Sequence, residues 1–112
     1  MDNLKTDAYY VQKIIADLSF IIAHTHGLSK EQFSNHEILV DSVMFRLIQV
    51  SENSDKLTNA LKAQNPAIPW RAVKGLRNRI VHEYGNVDLT IVYETVMHDI
   101  PALLHSLQKI AL

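Results

Sequence analysis

Four side chains that could carry chemistry lie close together in the sequence: Arg77, Arg79, His82 and Tyr84. An arginine guanidinium is permanently charged, and its planar fork suits phosphate oxygens. Histidine titrates near neutral pH, so it can accept or release a proton. These groups supply the minimum for cleaving RNA without a metal. One group removes the proton of the 2′-hydroxyl, and another stabilises the charge that grows on the phosphorus oxygens.

The charge around these residues is unevenly distributed. The net charge of the chain is −1, which alone indicates no nucleic-acid partner. Between Lys56 and His82, however, there is no Asp or Glu, and the basic residues are Lys56, Lys62, Arg71, Lys74, Arg77 and Arg79. Such a local basic field can steer a phosphate-bearing ligand to one face. A solvated helix face is the plainer interpretation, and charge alone favours it.

Composition limits the class of protein. With 112 residues, 47% of them hydrophobic and 21% charged, residues 1–112 are expected to form one globular domain. The absence of cysteine excludes disulfides, thiolate zinc sites and cysteine nucleophiles. No clustered His, Asp or Glu set predicts a metal or other cofactor. The polar N-terminus is unlike a signal peptide, and no apolar run could span a bilayer, so we expect a soluble, cytoplasmic protein without membrane contact.

The hydrophobic pattern is helical in the first half of the chain. Apolar residues recur at helical spacing over residues 4–25, and Gly27 can supply the left-handed stop. Ser29 and Gln32 have the spacing of a capping box, which predicts a short helix. Asn35 is the expected cap of a second long helix that runs on to Leu61.

The second half predicts two more helices. Pro69 suits the first position of a helix that ends between His82 and Gly85. Asp88 is a good cap for a last helix, in which Pro101 should cause a kink or break. The fold class predicted is therefore all-α, an antiparallel up-and-down bundle of four to five helices.

The motif Arg77-x4-His82-x-Tyr84 resembles the Arg-x4-6-His motif of HEPN domains, in the form found in HepT-like toxins. Further segments with similar residues occur in the same order along nearly the whole chain. They are Leu28-Ser29-Lys30-Glu31-Gln32-Phe33, Asp41-Ser42-Val43 with Arg46, Ile68-Pro69-Trp70-Arg71, Gly75-Leu76 before the motif, and Val87-Asp88-Leu89. The order and spacing of these segments, rather than any one of them, carry the resemblance.

The resemblance implies a homodimeric endoribonuclease toxin of a type II-like or type VII-like toxin–antitoxin system. Arg77 and His82 would be catalytic, with Asn78 supporting them. A cognate minimal nucleotidyltransferase would act as antitoxin by transferring AMP to Tyr84. The family often has an acidic residue in a Gly-Glu-Ala context where this chain has Ser51-Glu52-Asn53, and this departure argues against a role for Glu52.

Helix geometry adds a constraint on the site. On an ideal helix Arg77 and His82 are about 140° apart, whereas Arg79 and His82 share a face. We therefore expect a dimer to complete the site, with Lys74 and Arg79 as supporting RNA-phosphate ligands. The substrate would be a tRNA or an mRNA, and the sequence does not distinguish them.

Other interpretations remain open. Arg77 and His82 could be a surface arginine and a helix-terminal histidine that the helix dipole favours. The domain could also bind nucleotides or the nucleotidyltransferase without cutting RNA, or form a purely structural dimer. The remaining histidines are expected to be structural or surface groups: His24, His26, His36, His98 and His105.

Overall fold

The computed structural model describes residues 5–83 and 88–112, without the side chains of residues 80–83. In these ranges every regular element is helical, which confirms the all-α prediction. The helices are α1 (Asp7–Thr25), α2 (Lys30–Ser34), α3 (Glu37–Asp55), α4 (Asn59–Gln64), α5 (Trp70–Glu83), α6 (Leu89–Glu94) and α7 (Ile100–Gln108), and a π-helical turn (Thr95–Asp99) joins the last two. Within the described residues, no helix has both the length and the apolar character needed to cross a membrane.

Three of the predicted helix boundaries are present with their capping interactions. Gly27 follows α1 with a φ of 79°, the left-handed conformation that a side chain would disfavour. Ser29 and Gln32 form a complete capping box at the start of α2. The Asp88 carboxylate accepts a hydrogen bond of 2.9 Å from the Thr90 backbone N–H at the start of α6.

The predicted cap of α3 was wrong by one residue. His36 caps α3, because its Nδ1 accepts a hydrogen bond of 3.2 Å from the Leu39 backbone N–H, and Asn35 instead ends α2. The predicted first residue of α5 also differs by one position. Pro69 precedes the first helical residue, and its carbonyl accepts the hydrogen bond from Val73.

The predicted continuous helix to Leu61 was also wrong, since α3 stops at Asp55 and α4 is separate. Thr58 causes the interruption, because its hydroxyl accepts a 3.2 Å hydrogen bond from Leu61 and so begins a new helix. Asp7 holds this cap from α1: its two carboxylate oxygens accept from the Thr58 backbone N–H at 2.9 Å and the Thr58 hydroxyl at 2.6 Å. The start of α1 is thereby joined to the chain that follows α3.

Helix α1 is the axis of the bundle. It packs against α3 on one side and against α7 and the π-helical turn on the other. The core side chains of α1 follow the predicted apolar stripe and are almost completely buried: Val11, Ile14, Leu18 and Ile21. Helix α3 runs antiparallel to α1, since Arg46 bonds Asp17 at 2.8 Å near the middle of both helices while Thr58 meets Asp7 at their ends. Helix α5 packs on the far side of α3.

The kink or break predicted at Pro101 takes the form of the π-helical turn just before it. Pro101 has no N–H to donate to the carbonyl of Met97, so the α-helical hydrogen bonds cannot continue through this point. The N–H of Ile100 donates to the Thr95 carbonyl instead, five residues earlier. Val92, Val96 and Ile100 are spaced four positions apart, and on an ideal α-helix each such spacing turns the side chain by about 40° around the axis. A π-helical turn has more residues per turn and reduces this rotation, and all three side chains are buried.

The seam between α3 and α5 positions the candidate site. Ser51 of α3 is almost completely buried, and its hydroxyl donates a 2.8 Å hydrogen bond to the Lys74 carbonyl of α5. From α5, Val73 is buried, and Trp70 and Leu76 pack against the core from partly buried positions. The indole N–H of Trp70 also donates to the Asn65 carbonyl at 3.0 Å. These contacts fix how far α5 can turn or slide against α3.

We expect Ser51→Ala to lower the free energy of unfolding by about 1 kcal/mol, the usual contribution of one intramolecular hydrogen bond. Urea denaturation measures this. The matched control is Ser34→Ala, because within the described residues the buried Ser34 hydroxyl has no hydrogen-bond partner. Ser34→Ala should be neutral or stabilising. Equal losses in the two variants would contradict a specific contribution from the bond between Ser51 and Lys74.

Candidate functional site

Arg77 is held against α3 by an acidic residue. Its Nε lies 2.5 Å from Oε1 of Glu52, and both side chains are 45% exposed. Glu52 directly follows Ser51, so neighbouring residues of α3 contact successive turns of α5. An ion pair this exposed contributes little to stability. The ion pair instead fixes a direction: it draws the guanidinium to the α3 side of α5, while the Arg77 side chain stays partly accessible to a ligand.

A second group of residues forms the outward face of α5. Arg71, Lys74 and Asn78 are spaced three and four residues apart, which places them on one stripe of the helix. All three are exposed. Among the described side chains, neither Arg71 nor Lys74 has an ion-pair partner within 4.0 Å. Two positive charges and an amide therefore face solvent in a row, an arrangement suited to successive phosphates of a nucleic-acid strand.

Arg79 lies on the opposite flank of this stripe from Arg77. Side chains two positions apart in an ideal helix point in directions that differ by about 200°. Accordingly, Arg77 meets α3, whereas Arg79 lines a groove between α5 and α7. The sequence grouped the two arginines as neighbours, and the structure separates them. Only a ligand that crosses the whole outward face of α5 could touch both.

The other two motif residues are His82 and Tyr84, and the structure describes only the backbone of His82. His82 belongs to the last turn of α5, and its backbone position follows Asn78 by one helical turn. Its side chain lies outside the described residues, so the expected proximity of His82 to Arg79 stays a prediction. Tyr84 lies outside the described residues altogether, as does the neighbourhood in which it would be modified.

The basic segment is less uniform than its sequence indicates. Lys56 lies over the Tyr10 ring of α1, with Nζ 5.6 Å from the ring centroid. Glu52 adds a negative charge beside Arg77 that the segment itself lacks. Among the described side chains of α5, the positive charges without an ion-pair partner are therefore Arg71, Lys74 and Arg79.

The other histidines have contacts that are local. His36 caps α3, His24 stacks on Phe20 with ring centroids 4.2 Å apart, and His98 lies 3.3 Å from Glu94 one turn earlier. In residues 5–83 and 88–112, no group of three His, Asp or Glu side chains is arranged to hold a metal ion. The potential ligands for phosphate thus come from α5, and Glu52 orients one of them, Arg77.

The contact of Glu52 with Arg77 was not predicted from the sequence. Glu52 precedes Arg77 by 25 positions, so only the packing of α3 against α5 brings them together. The departure from the Gly-Glu-Ala context argued against a role, because sequence context was the only guide. Ser51 stands where that context has glycine, and its hydroxyl bonds the Lys74 carbonyl of α5. The departure from the family pattern therefore contributes a contact between α3 and α5.

Comparison with known proteins shows the family to which the chain belongs. The family model described as Ribonuclease HepT-like matches residues 14–110. A protein named probable ribonuclease HepT from Thermococcus cleftensis is 29% identical over 101 residues, covering 90% of this chain and 92% of its own. A protein provisionally named an RNase from Caldanaerobacter subterraneus subsp. tengcongensis is 27% identical over 107 residues, covering 96% of both chains.

A third relative, provisionally named an RNase, comes from Methanocaldococcus jannaschii and is 27% identical over 101 residues, covering 90% of this chain and 87% of its own. No solved structure matches the chain. The family match extends from the middle of α1 to the residues after α7 and includes all of α5. The chain therefore belongs to the HepT-like family of ribonucleases, and its class of activity is that of an endoribonuclease.

Proposed function

We propose that the protein is the toxin of a type II-like or type VII-like toxin–antitoxin system and cleaves tRNA or mRNA without a metal. The observation that supports this best is the outward face of α5. It presents Arg71, Lys74 and Asn78 in a row and keeps Arg77 accessible beside them. A row of exposed cations next to an oriented guanidinium suits a polyanion whose phosphate is to be attacked.

The proposed reaction is an internal transesterification. His82 removes the proton of the RNA 2′-hydroxyl, and the oxygen forms a bond to the neighbouring phosphorus. The bond from phosphorus to the 5′-oxygen breaks, and a protonated histidine, the same one or that of a second copy, donates to the leaving oxygen. Arg77 stabilises the charge on the phosphorus oxygens, and Lys74, Asn78 and Arg79 hold the strand. The products are a 2′,3′-cyclic phosphate and a 5′-hydroxyl.

His82→Ala and Arg77→Ala should each abolish most RNA cleavage, because each removes a group that acts in the transition state. Losses of about a hundredfold or more are expected. The assay is cleavage of tRNA and mRNA by purified protein in EDTA, with the ends of the products identified by mass spectrometry.

The matched control is His105→Ala, which removes an exposed histidine of α7 and should retain full activity. Retained cleavage in His82→Ala would refute the assignment. Tight nucleotide binding by the wild type with no cleavage at any concentration would instead favour a non-catalytic binding module.

We also propose that the active form is a homodimer whose contact surface includes the exposed face of α3. Ile38 and Phe45 are 77% and 58% exposed, large values for apolar side chains. They are two helical turns apart, and Glu52 follows after two more turns on nearly the same face. A two-fold contact through this face would bring the Arg77 of each copy towards the axis, where both motifs could serve one cleft.

Phe45→Glu should convert the dimer into a monomer and remove cleavage, because a charge would be buried against the second copy. Light scattering after gel filtration gives the oligomeric state, and the RNA assay gives the activity. Ile91→Glu is the control, since Ile91 is 44% exposed but lies on α6 and should leave both unchanged. A monomeric Phe45→Glu protein with full activity would show that one copy suffices.

The third proposal concerns inhibition by a minimal nucleotidyltransferase that transfers AMP to Tyr84. Tyr84 follows α5 within two residues of His82 in sequence. Adenylylation would add bulk and a negative charge where RNA phosphate has to lie.

Adenylylated protein should therefore cleave RNA far more slowly than unmodified protein, and Tyr84→Phe should escape inhibition by the nucleotidyltransferase. Mass spectrometry measures the modification, and the RNA assay measures its effect. Equal cleavage by the modified and unmodified forms would exclude this route of inhibition.

A further inference from the structure

A groove of about 530 Å³ separates α5 from the C-terminal helical segment. Among the described residues, α1 packs on α3, α3 on α5 and α1 on α7. The apolar floor of the groove is formed by Val73, Leu76, Ile100 and Leu103. Polar groups stand at its edges, among them Arg79 from α5 and Asp99 from the π-helical turn. An apolar cavity with a few polar groups at its rim is typical of a small-molecule or base site.

Gly75 makes this groove accessible from α5. A glycine inside a helix costs about 1 kcal/mol relative to alanine, so it needs a reason. No contact in the described structure supplies one, because a Cβ at Gly75 would meet nothing within 4 Å. The missing side chain leaves bare helix backbone along the groove wall. A flat ligand could lie against that wall more closely than any side chain would allow.

The two charged residues at the rim are not neutralised by each other. Arg79 and Asp99 both line the groove and are both exposed, yet no ion pair within 4.0 Å joins them. The groove therefore offers hydrogen-bond donors on one side and acceptors on the other. The edges of a nucleobase carry both kinds of group, and its faces are apolar enough for the floor.

The groove is continuous with the outward face of α5. Gly75 and Arg79 form its wall, and Lys74 and Asn78 are their neighbours on the exposed stripe. A strand whose phosphates follow the stripe would have its bases beside the groove. A partner helix would fit the apolar floor but would leave the adjoining cations unmatched, whereas single-stranded RNA matches both surfaces.

We propose that the groove between α5 and α7 is a nucleobase pocket that receives one unpaired base of the RNA. This inference rests on the proposed ribonuclease function and adds to it the class of substrate. A base within a duplex is stacked and paired, so it cannot enter the groove. The protein therefore selects single-stranded segments, and Arg79 and Asp99 select among bases by contacting the edges of the inserted one.

The test uses the wild-type protein and RNA that cannot be cut, because 2′-O-methyl groups block the attacking oxygens. Fluorescence anisotropy measures the Kd for a single strand, for the same strand with abasic positions, and for a duplex. Ala102→Phe fills the groove from an exposed position of α7. It should weaken binding of the single strand about tenfold, the contribution of one stacked base, and leave the abasic strand unaffected. Ala63→Phe, at an exposed position of α4, is the control and should change neither.

Gly75→Ala provides a second variant whose folding is not in doubt. It should raise Tm through better helix propensity and still weaken binding of the single strand. Asp99→Asn should change the order of Kd values among strands that differ in one base. Unchanged single-strand binding in Ala102→Phe and Gly75→Ala would overturn the pocket, as would equal losses with the abasic strand. A change of oligomeric state in Ala102→Phe would identify the groove as a protein interface instead.

The outcomes also separate this inference from the proposed function. If the wild type neither binds nor cuts RNA, the function itself fails. If the wild type cuts RNA and the groove variants bind it as tightly as wild type does, the function stands and only the base pocket is refuted.

Discussion

The packing of α3 between α1 and α5 is the constraint on which the rest of the site depends. Helix α5 exposes four charged side chains, Arg71, Lys74, Arg77 and Arg79, and few of its described side chains face the core. A helix of this length is only marginally stable by itself in water. It persists because α3 supplies an apolar surface and the Ser51 hydroxyl along one seam, on which Glu52 also lies. The same seam that stabilises α5 therefore also orients Arg77.

The local features of the fold could be predicted from sequence, whereas the relations between helices could not. Gly27, Ser29 and Asp88 end or begin helices by interactions that span at most a few residues, so their types suffice. The break after Asp55 is not predicted by the sequence, because the apolar spacing continues through it. It depends on Asp7, which lies far away in sequence and holds the Thr58 cap. A cap supported by a distant carboxylate gives no local signal.

For the candidate site, too, the residue types could be predicted from the sequence, whereas the contacts between helices could not. The residue types of α5 indicated phosphate chemistry, and the resemblance placed Arg77, His82 and Tyr84 in a known motif. Helix geometry predicts that Arg77 and Arg79 lie on opposite flanks of α5. It does not predict that Arg77 contacts α3 and that Arg79 lines the groove beside α7. The family match supports the class of reaction. The position of Glu52 and the open groove beside Arg79 required the three-dimensional arrangement.

The π-helical turn before Pro101 has a consequence for the evolution of the chain. A π turn holds one more residue than the α turn it replaces, so it amounts to a one-residue insertion inside a continuous helix. A relative without that residue, and without the proline, could close the turn as ordinary α-helix while its flanking apolar positions stayed in place. Length differences among members of the family can thus be absorbed within the last helix, and an alignment gap there would mark a change of helix type rather than a loop.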